Sequence, residues 1–301
     1  MLFGELITWY LFFGGVGGGT YLVWFCAAAI AQYRKGAWVS FGKTITRPML
    51  IMSFALMAIG GLCLIRDLTL PGRVLLLFTR PTFSILTFGA FTLGAFLLCL
   101  GYLVIASFRN EGRAPSRIFK IVSIASVVLA FTAIVYTGVF LASLSAVPFW
   151  NTPLLPLLFT LSSCSTGIAV MILVALFTSS SAHLVTKKLD LFLRVDLVII
   201  LLELALLLVM CLLFINNPVT HLSLIELAKG QFFYEFWLGF IFCAIVAPLI
   251  MEVLAKIVRI TNSAYYAYLG CFILIGGFFM RYCVINAGIH LSSLMFSSLG
   301  L

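Results

Sequence analysis

Apolar residues fall in eight long runs separated by short polar stretches, approximately Ile7–Gln32, Pro48–Ile65, Thr82–Phe108, Ile121–Ala146, Leu154–Thr178, Val195–Ile215, Phe232–Val253 and Ala264–Gly288. A helix crosses the hydrocarbon core with about 20 apolar residues, so the pattern predicts eight transmembrane helices. Of the 301 residues, 63% are hydrophobic and 9% charged, where a soluble domain has about 25% charged. The fold class expected is an all-α integral membrane protein with little chain left for a soluble domain. The opening Met1-Leu-Phe-Gly-Glu5 lacks a positive n-region and the first run is too long for a cleavable signal peptide, so none is expected.

Charge refines the picture. A net charge of +9 raises the possibility of nucleic acid, but the distribution argues against it. Thirteen of the 18 Lys and Arg lie on the loops after runs 1, 3, 5 and 7, among them Arg34, Lys43, Arg47, Arg109, Arg117, Lys120, Arg194, Lys256 and Arg259. The other loops hold Arg66, Arg73, Arg80 and Lys229, and Arg281 lies within a run. By the positive-inside bias the odd-numbered loops are cytoplasmic and both termini face out.

The eight cysteines all sit in apolar runs with no C-x-x-C pair, so neither zinc nor an iron–sulfur cluster is expected in this chain. His183, His221 and His290 fall in loops or at run ends, so paired axial ligands for a membrane haem are not expected either. Eight of the nine prolines, Pro48 among them, are read as marking run ends or loops. Pro248 lies inside the seventh run and predicts a kink there. The first run carries Gly14-Gly-Val-Gly-Gly-Gly19, whose four-residue spacings suit close approach of a neighbouring helix, or a cofactor ring resting on bare backbone. Ser162-Ser-Cys-Ser-Thr-Gly167 in the fifth run reads as a second small-residue face.

Ionisable and aromatic-polar groups inside a bilayer are costly and ask for a reason. At 1.5 Å per residue, Tyr136, Arg281, Trp9, Tyr10, Asp67 and Glu235 fall toward the outer third. Asp196, Glu203 and Glu252 form an inner group, with Glu203 roughly 12 Å inside its helix. Two readings stay open for the outer set. An apolar pocket with a tyrosine, an arginine and a carboxylate suits a quinol, which needs greasy walls, partners for two ring oxygens and a proton acceptor. The same inventory could serve a secondary transporter, although no inverted repeat is visible, the first-run glycines having no counterpart in the fifth. Glu203 is either paired, held protonated, or part of a proton path.

Several motifs, in order, resemble the NrfD-like family, the membrane subunits of polysulfide reductase and formate-dependent nitrite reductase. They are Tyr10-Leu-Phe-Phe-Gly-Gly-Val-Gly-Gly-Gly19, Asp67-Leu-Thr-Leu-Pro-Gly-Arg73, Ser84-Ile-Leu-Thr-Phe-Gly-Ala-Phe91, Tyr136-Thr-Gly-Val139, Pro148-Phe-Trp-Asn-Thr-Pro-Leu-Leu-Pro156, Ser165-Thr-Gly167 and Arg281-Tyr-Cys-Val-Ile-Asn-Ala-Gly288. Thr69 and Leu70 stand where the family usually has Gly and Arg, Asn286 stands where it has Tyr, and the first run lacks the histidine some members carry.

The resemblance implies two four-helix bundles, residues 1–148 and 149–301, in a prokaryotic cytoplasmic (inner) membrane, with a menaquinone or ubiquinone site in the first bundle near the outer face. It implies no metal in this chain and two partners: a ferredoxin-like subunit with [4Fe–4S] clusters, and often a molybdopterin catalytic subunit that holds the terminal active site. Quinol oxidation is the direction favoured. Asp67 is then expected to exchange protons and Tyr136 to bond a ring oxygen. Trp9, Tyr10, Arg66, Gly15 and Gly18 would line the quinone site. Against this, Trp9 and Tyr10 can be read as interface anchors, Asp67 as a structural partner of Arg66 or Arg73, Tyr136 as a satisfied helix–helix hydrogen bond, and Arg281 as pairing with a carboxylate such as Glu235. The alternative function is proton conduction through Glu203, Asp196, Glu252 and Arg281, or transport with no redox role.

Overall fold

The computed structural model describes residues 5–34, 37–67, 84–109, 115–178, 182–258 and 262–288. Among them the regular structure is entirely helical: α1 Glu5–Arg34, α2 Ala37–Asp67, α3 Ile85–Arg109, α4 Arg117–Ala142, α5 Leu154–Thr178, α6 Ala182–Ile215, α7 Pro218–Lys229, α8 and α9 Ser263–Asn286. Helix α8 is π-helical over Glu235–Val246 and α-helical over Ala247–Val258. All except α7 are long and apolar enough to cross a membrane, eight spans among the described residues. The all-α membrane class read from the apolar runs is the observed one.

Helix α6 begins at Ala182, thirteen residues before its apolar run, so His183 falls within it and not in a loop. Three further differences from the hydrophobic pattern each have a physical reason. Helix α2 begins at Ala37, eleven residues before its apolar run, because Lys43, Thr44, Thr46 and Arg47 continue the helix beyond the greasy segment. Pro48 is therefore inside α2 and does not mark its end. Pro218 and His221 are not in a loop either: Asn217 caps Val219 N–H, Pro218 takes the first turn and Gly230 closes a twelve-residue helix too short to span. At Pro248 the preceding residues wind as a π-helix. The Ala247 N–H bonds back five residues to the Phe242 carbonyl, and this wider winding accommodates the missing proline donor.

Helix α1 sits at the centre and is buried on nearly every side through Tyr10–Thr20 and on to Trp24. Only a helix of small residues can be surrounded so tightly. A Cβ on Gly17 would stand 3.0 Å from the Met57 amide nitrogen of α2, and one on Gly18 would stand 2.8 Å from the Ile134 side chain of α4. A Cβ on Gly19 would meet the Ser163 carbonyl of α5 directly. Gly167 of α5 faces the Gly19 backbone in return. The two small-residue faces noted in the sequence thus meet each other, across the expected 148/149 boundary. Hydroxyls tie the first helices together as well: Ser53 Oγ donates to the Gly17 carbonyl at 2.8 Å and Tyr21 Oη donates to the Ser123 carbonyl at 2.8 Å. In a bilayer such interhelical bonds contribute about 0.6–2 kcal/mol each.

The connection between α4 and α5 is clamped from the far end of the chain. Trp150 is fully buried and donates from Nε1 to the Val284 carbonyl at 2.7 Å. Its ring fills the space beside Gly288, where a Cβ would stand 2.5 Å away. Gly138, two residues after Tyr136, lies against Pro156. The specific blocks of the sequence are therefore neighbours in space, and they fix the end of α4 that carries Tyr136.

Candidate functional site

Three constellations carry the chemistry. The first is a cavity of about 890 Å³ between α3 and α4, walled by Ile85, Phe88, Phe91, Phe131, Val135 and Val139. Ser84, Thr87, Thr132 and Tyr136 contribute hydroxyls to the same lining. Phe88, Phe91 and Phe131 are exposed at the outer surface of the helices, so the cavity opens sideways, toward lipid. Tyr136 is buried and leans on α3 at the point where Gly89 lacks a side chain, since a Cβ there would coincide with the phenol ring. Among the described residues its hydroxyl has no hydrogen-bond partner. Ser84 Oγ and Thr87 Oγ1 are 2.9 Å apart, and the Thr87 N–H donates to Ser84 Oγ at 3.2 Å, so the α3 cap places two hydroxyls at one end of the cavity.

The sequence-predicted quinone residues divide around this cavity. Tyr10 is buried and within electrostatic reach of Tyr136, but as part of the packed core. Trp9 does not join it. It packs on Phe13 (5.6 Å) and on Phe278 of α9 (4.5 Å), in a separate apolar groove between α1, α2, α5 and α9. Gly15 and Gly18 are not cavity walls: the first is covered by Arg281 and the second by Ile134. Arg66 is exposed and Asp67 half-buried at the last turn of α2, and neither lines the cavity. Arg73, the other expected partner of Asp67, lies outside the described residues.

Arg281 forms the second constellation. Its side chain is completely buried at the crossing of α1, α5 and α9. The guanidinium donates to the Gly277 carbonyl (2.7 Å), Ser162 Oγ (3.3 Å) and Ser163 Oγ (2.9 Å), and lies 5.9 Å from the Phe12 ring centre and 5.5 Å from that of Phe159. Two aromatic faces and three oxygens replace the water such a cation would hold. The expected pairing with Glu235 is not made, because Arg281 points across α9 toward α5 and α1 while Glu235 stands near Tyr282 and Cys283. Ser162, Ser163 and Gly15 are thus arginine-seating residues. The sequence signal for them was only their small size in mid-helix.

The third constellation joins α5, α6 and α8. Asp196, Glu203 and Glu252 are all buried, the first completely. Asp196 stands beside Ser165 and Glu252, so two carboxyl groups from different helices share one enclosed place. Both Asp196 oxygens and Glu203 Oε1 are shielded from solvent, with no hydrogen-bond partner within ordinary distance among the described residues. Glu203 lies between Asp196 and Arg281, within electrostatic range of each. Ser165 is the member that sequence reasoning did not single out as polar partner.

These features define a multi-pass, all-helical membrane protein with a lateral apolar cavity and buried ionisable groups on its internal helix faces. The chain belongs to the NrfD family, described as polysulphide reductase, NrfD, whose sequence profile matches residues 1–292. It is also similar to the C subunit of polysulfide reductase from Wolinella succinogenes, with 28% identity over 306 residues, covering 94% of this protein and 92% of that one.

Proposed function

We propose that this protein is the membrane anchor of a respiratory reductase complex and exchanges electrons and protons between menaquinone or ubiquinone and a partner subunit, in the direction of quinol oxidation. Family membership and likeness to a polysulfide reductase subunit support the anchor role and the presence of other reductase subunits. The observation that carries the quinone assignment is the Tyr136 cavity: greasy, open toward lipid, and provided with an unpartnered phenol. An aromatic head group entering from the bilayer would bury its ring between Phe88, Phe91 and Phe131 and place one oxygen at Tyr136. The Ser84–Thr87 hydroxyls offer a second polar contact. Asp67 ends α2 at the same end of the molecule as Tyr136 on α4, so it is the carboxylate proposed to take up protons as the quinol is oxidised. The two electrons would leave to a ferredoxin-like [4Fe–4S] partner, and the terminal chemistry would belong to a molybdopterin or other catalytic subunit.

Tyr136→Phe tests this reading, since it removes one oxygen and keeps the ring. A neutral hydrogen bond is worth about 0.5–1.5 kcal/mol, so quinol-dependent reduction of the complex is expected to fall about two- to tenfold, with unchanged melting temperature. Wild-type turnover in that variant, or undiminished binding of a quinone analogue when Phe131→Trp fills the cavity, overturns the assignment.

A second reading rests on a different observation, the enclosed Asp196–Glu252 pair with Glu203 between it and Arg281. This set suits proton transfer through the second half of the chain and would make quinol oxidation electrogenic. Glu203→Gln liposomes are expected to retain quinol oxidation while building a smaller membrane potential per electron. An unchanged potential removes Glu203 from any such route.

A further inference from the structure

At the end of the molecule opposite the Tyr136 cavity, a second cavity of about 550 Å³ opens between α1, α2 and α4. Its character is different. Lys43 and Arg47, one turn apart on α2, put two cations on the same side of that helix, and no acidic side chain is among the described residues that line the cavity. Gln32 and Thr46 add polar groups, while Ala28 and Phe119 give it an apolar floor. Arg47 is pre-positioned: Nε donates to the Ser107 carbonyl at 3.2 Å and the guanidinium lies 5.4 Å from the Phe108 ring centre. Thr46 is fixed likewise, bonding the Trp24 indole (3.2 Å) and the Gly42 carbonyl (2.6 Å). Lys43 and Arg47 also sit where α2 passes from its polar extension into the apolar run that starts at Pro48, a junction of polar and apolar surface that suits a lipid headgroup.

We infer that this cavity is a binding site for the phosphodiester headgroup of an anionic phospholipid in the leaflet on the basic side of the protein. The cations meet the phosphate and the apolar floor meets the glycerol end. Charge complementarity selects this occupant: a neutral quinone ring has no use for two cations, and the described lining offers no carboxyl group to exchange its protons. Basic pockets between membrane helices hold such headgroups, and each Lys or Arg near the surface contributes about 1 kcal/mol, or roughly fivefold in affinity.

The test uses the full-length protein, with the subunits that co-purify, in detergent, titrated with dioleoyl-phosphatidylglycerol, dioleoyl-phosphatidylcholine or sodium phosphate and read by native mass spectrometry. One phosphatidylglycerol is expected to bind in preference to phosphatidylcholine. Its apparent Kd is expected to rise about fivefold in Lys43→Gln and about 25-fold in Lys43→Gln/Arg47→Gln, with Arg117→Gln, outside the cavity, unchanged. Lys43 is exposed, so its substitution leaves the fold intact and decides the question even where the double variant does not accumulate. Equal binding of phosphatidylcholine, an unaltered Kd in Lys43→Gln, an equal loss in Arg117→Gln, or full displacement by sodium phosphate overturns the proposal; the last would identify the ligand as a free anion.

Discussion

Gly14→Ala and Gly19→Ala add the same methyl group to the same helix and are expected to have opposite outcomes. At Gly14 the nearest obstacle to a Cβ is the edge of its own neighbour Tyr10 at 3.8 Å, ordinary contact distance. Replacing a mid-helix glycine with alanine there adds helix propensity of up to about 1 kcal/mol. The melting temperature of the purified protein should hold or rise. At Gly19 the methyl group would coincide with the Ser163 carbonyl of α5, and backbone cannot rotate away as a side chain does. The two helices must separate, which opens the contact between Gly19 and Gly167 and disturbs the seat of Arg281 on Ser163. Overpacking of a fitted core costs about 1–3 kcal/mol even where side chains can yield. A loss at or above the top of that range is expected, seen as low accumulation and aggregation on size-exclusion chromatography. A well-folded Gly19→Ala protein would mean that α1 and α5 do not cross at this point.

The second large effect is expected at Arg281. Arg281→Ala removes three donated hydrogen bonds and two aromatic contacts from a fully enclosed site, and leaves a cavity beside Gly15. Large-to-small changes at such positions cost about 3–5 kcal/mol. Arg281→Met refills most of the volume without a charge. Burying a guanidinium is itself expensive, and replacing a whole buried ion pair by apolar groups is often neutral to stability; among the described residues Arg281 is held by hydroxyl and carbonyl oxygens, with no salt-bridged carboxylate to strand. Arg281→Met is therefore expected to melt near the wild type, while Arg281→Ala melts far below it. If both variants are equally destabilised, the charge itself and not its volume holds the crossing together. If Arg281→Met is stable but the proposed quinol oxidation builds less potential in liposomes, the cation near Glu203 serves function and not folding.

Which of these features could be read before folding follows from which forces act locally. Eight apolar runs had to become eight spanning helices, because an unpaired backbone amide in hydrocarbon is prohibitively costly and a helix satisfies its own. Family membership was equally readable, since Tyr136-Thr-Gly138, the Pro148–Pro156 block and the ending at Gly288 stand in recognisable order. The reason these blocks go together was not readable. Gly138 seats Pro156 and Gly288 seats the Trp150 ring, contacts between residues far apart along the chain. Trp9 and Tyr10 illustrate the same limit. They are consecutive in sequence, yet one faces Phe278 and lipid while the other is buried toward Tyr136, because side chains turn by roughly 100° per residue around a helix.

The class of molecule, its span number and the residue types available for chemistry are all written in the chain itself, being properties of hydrophobicity summed over one segment at a time. Partnership emerged with helix assembly. Arg281 is bound by serines and aromatic rings instead of a carboxylate, Asp196 meets Glu252, and Gly15 is reserved for an arginine, not a cofactor ring. In a bilayer the lipid is as apolar as the helix surfaces, so hydrophobicity cannot choose which faces meet. Shape does: a missing Cβ on one helix receives the carbonyl, ring or guanidinium of another, and that fit exists only once the helices are assembled.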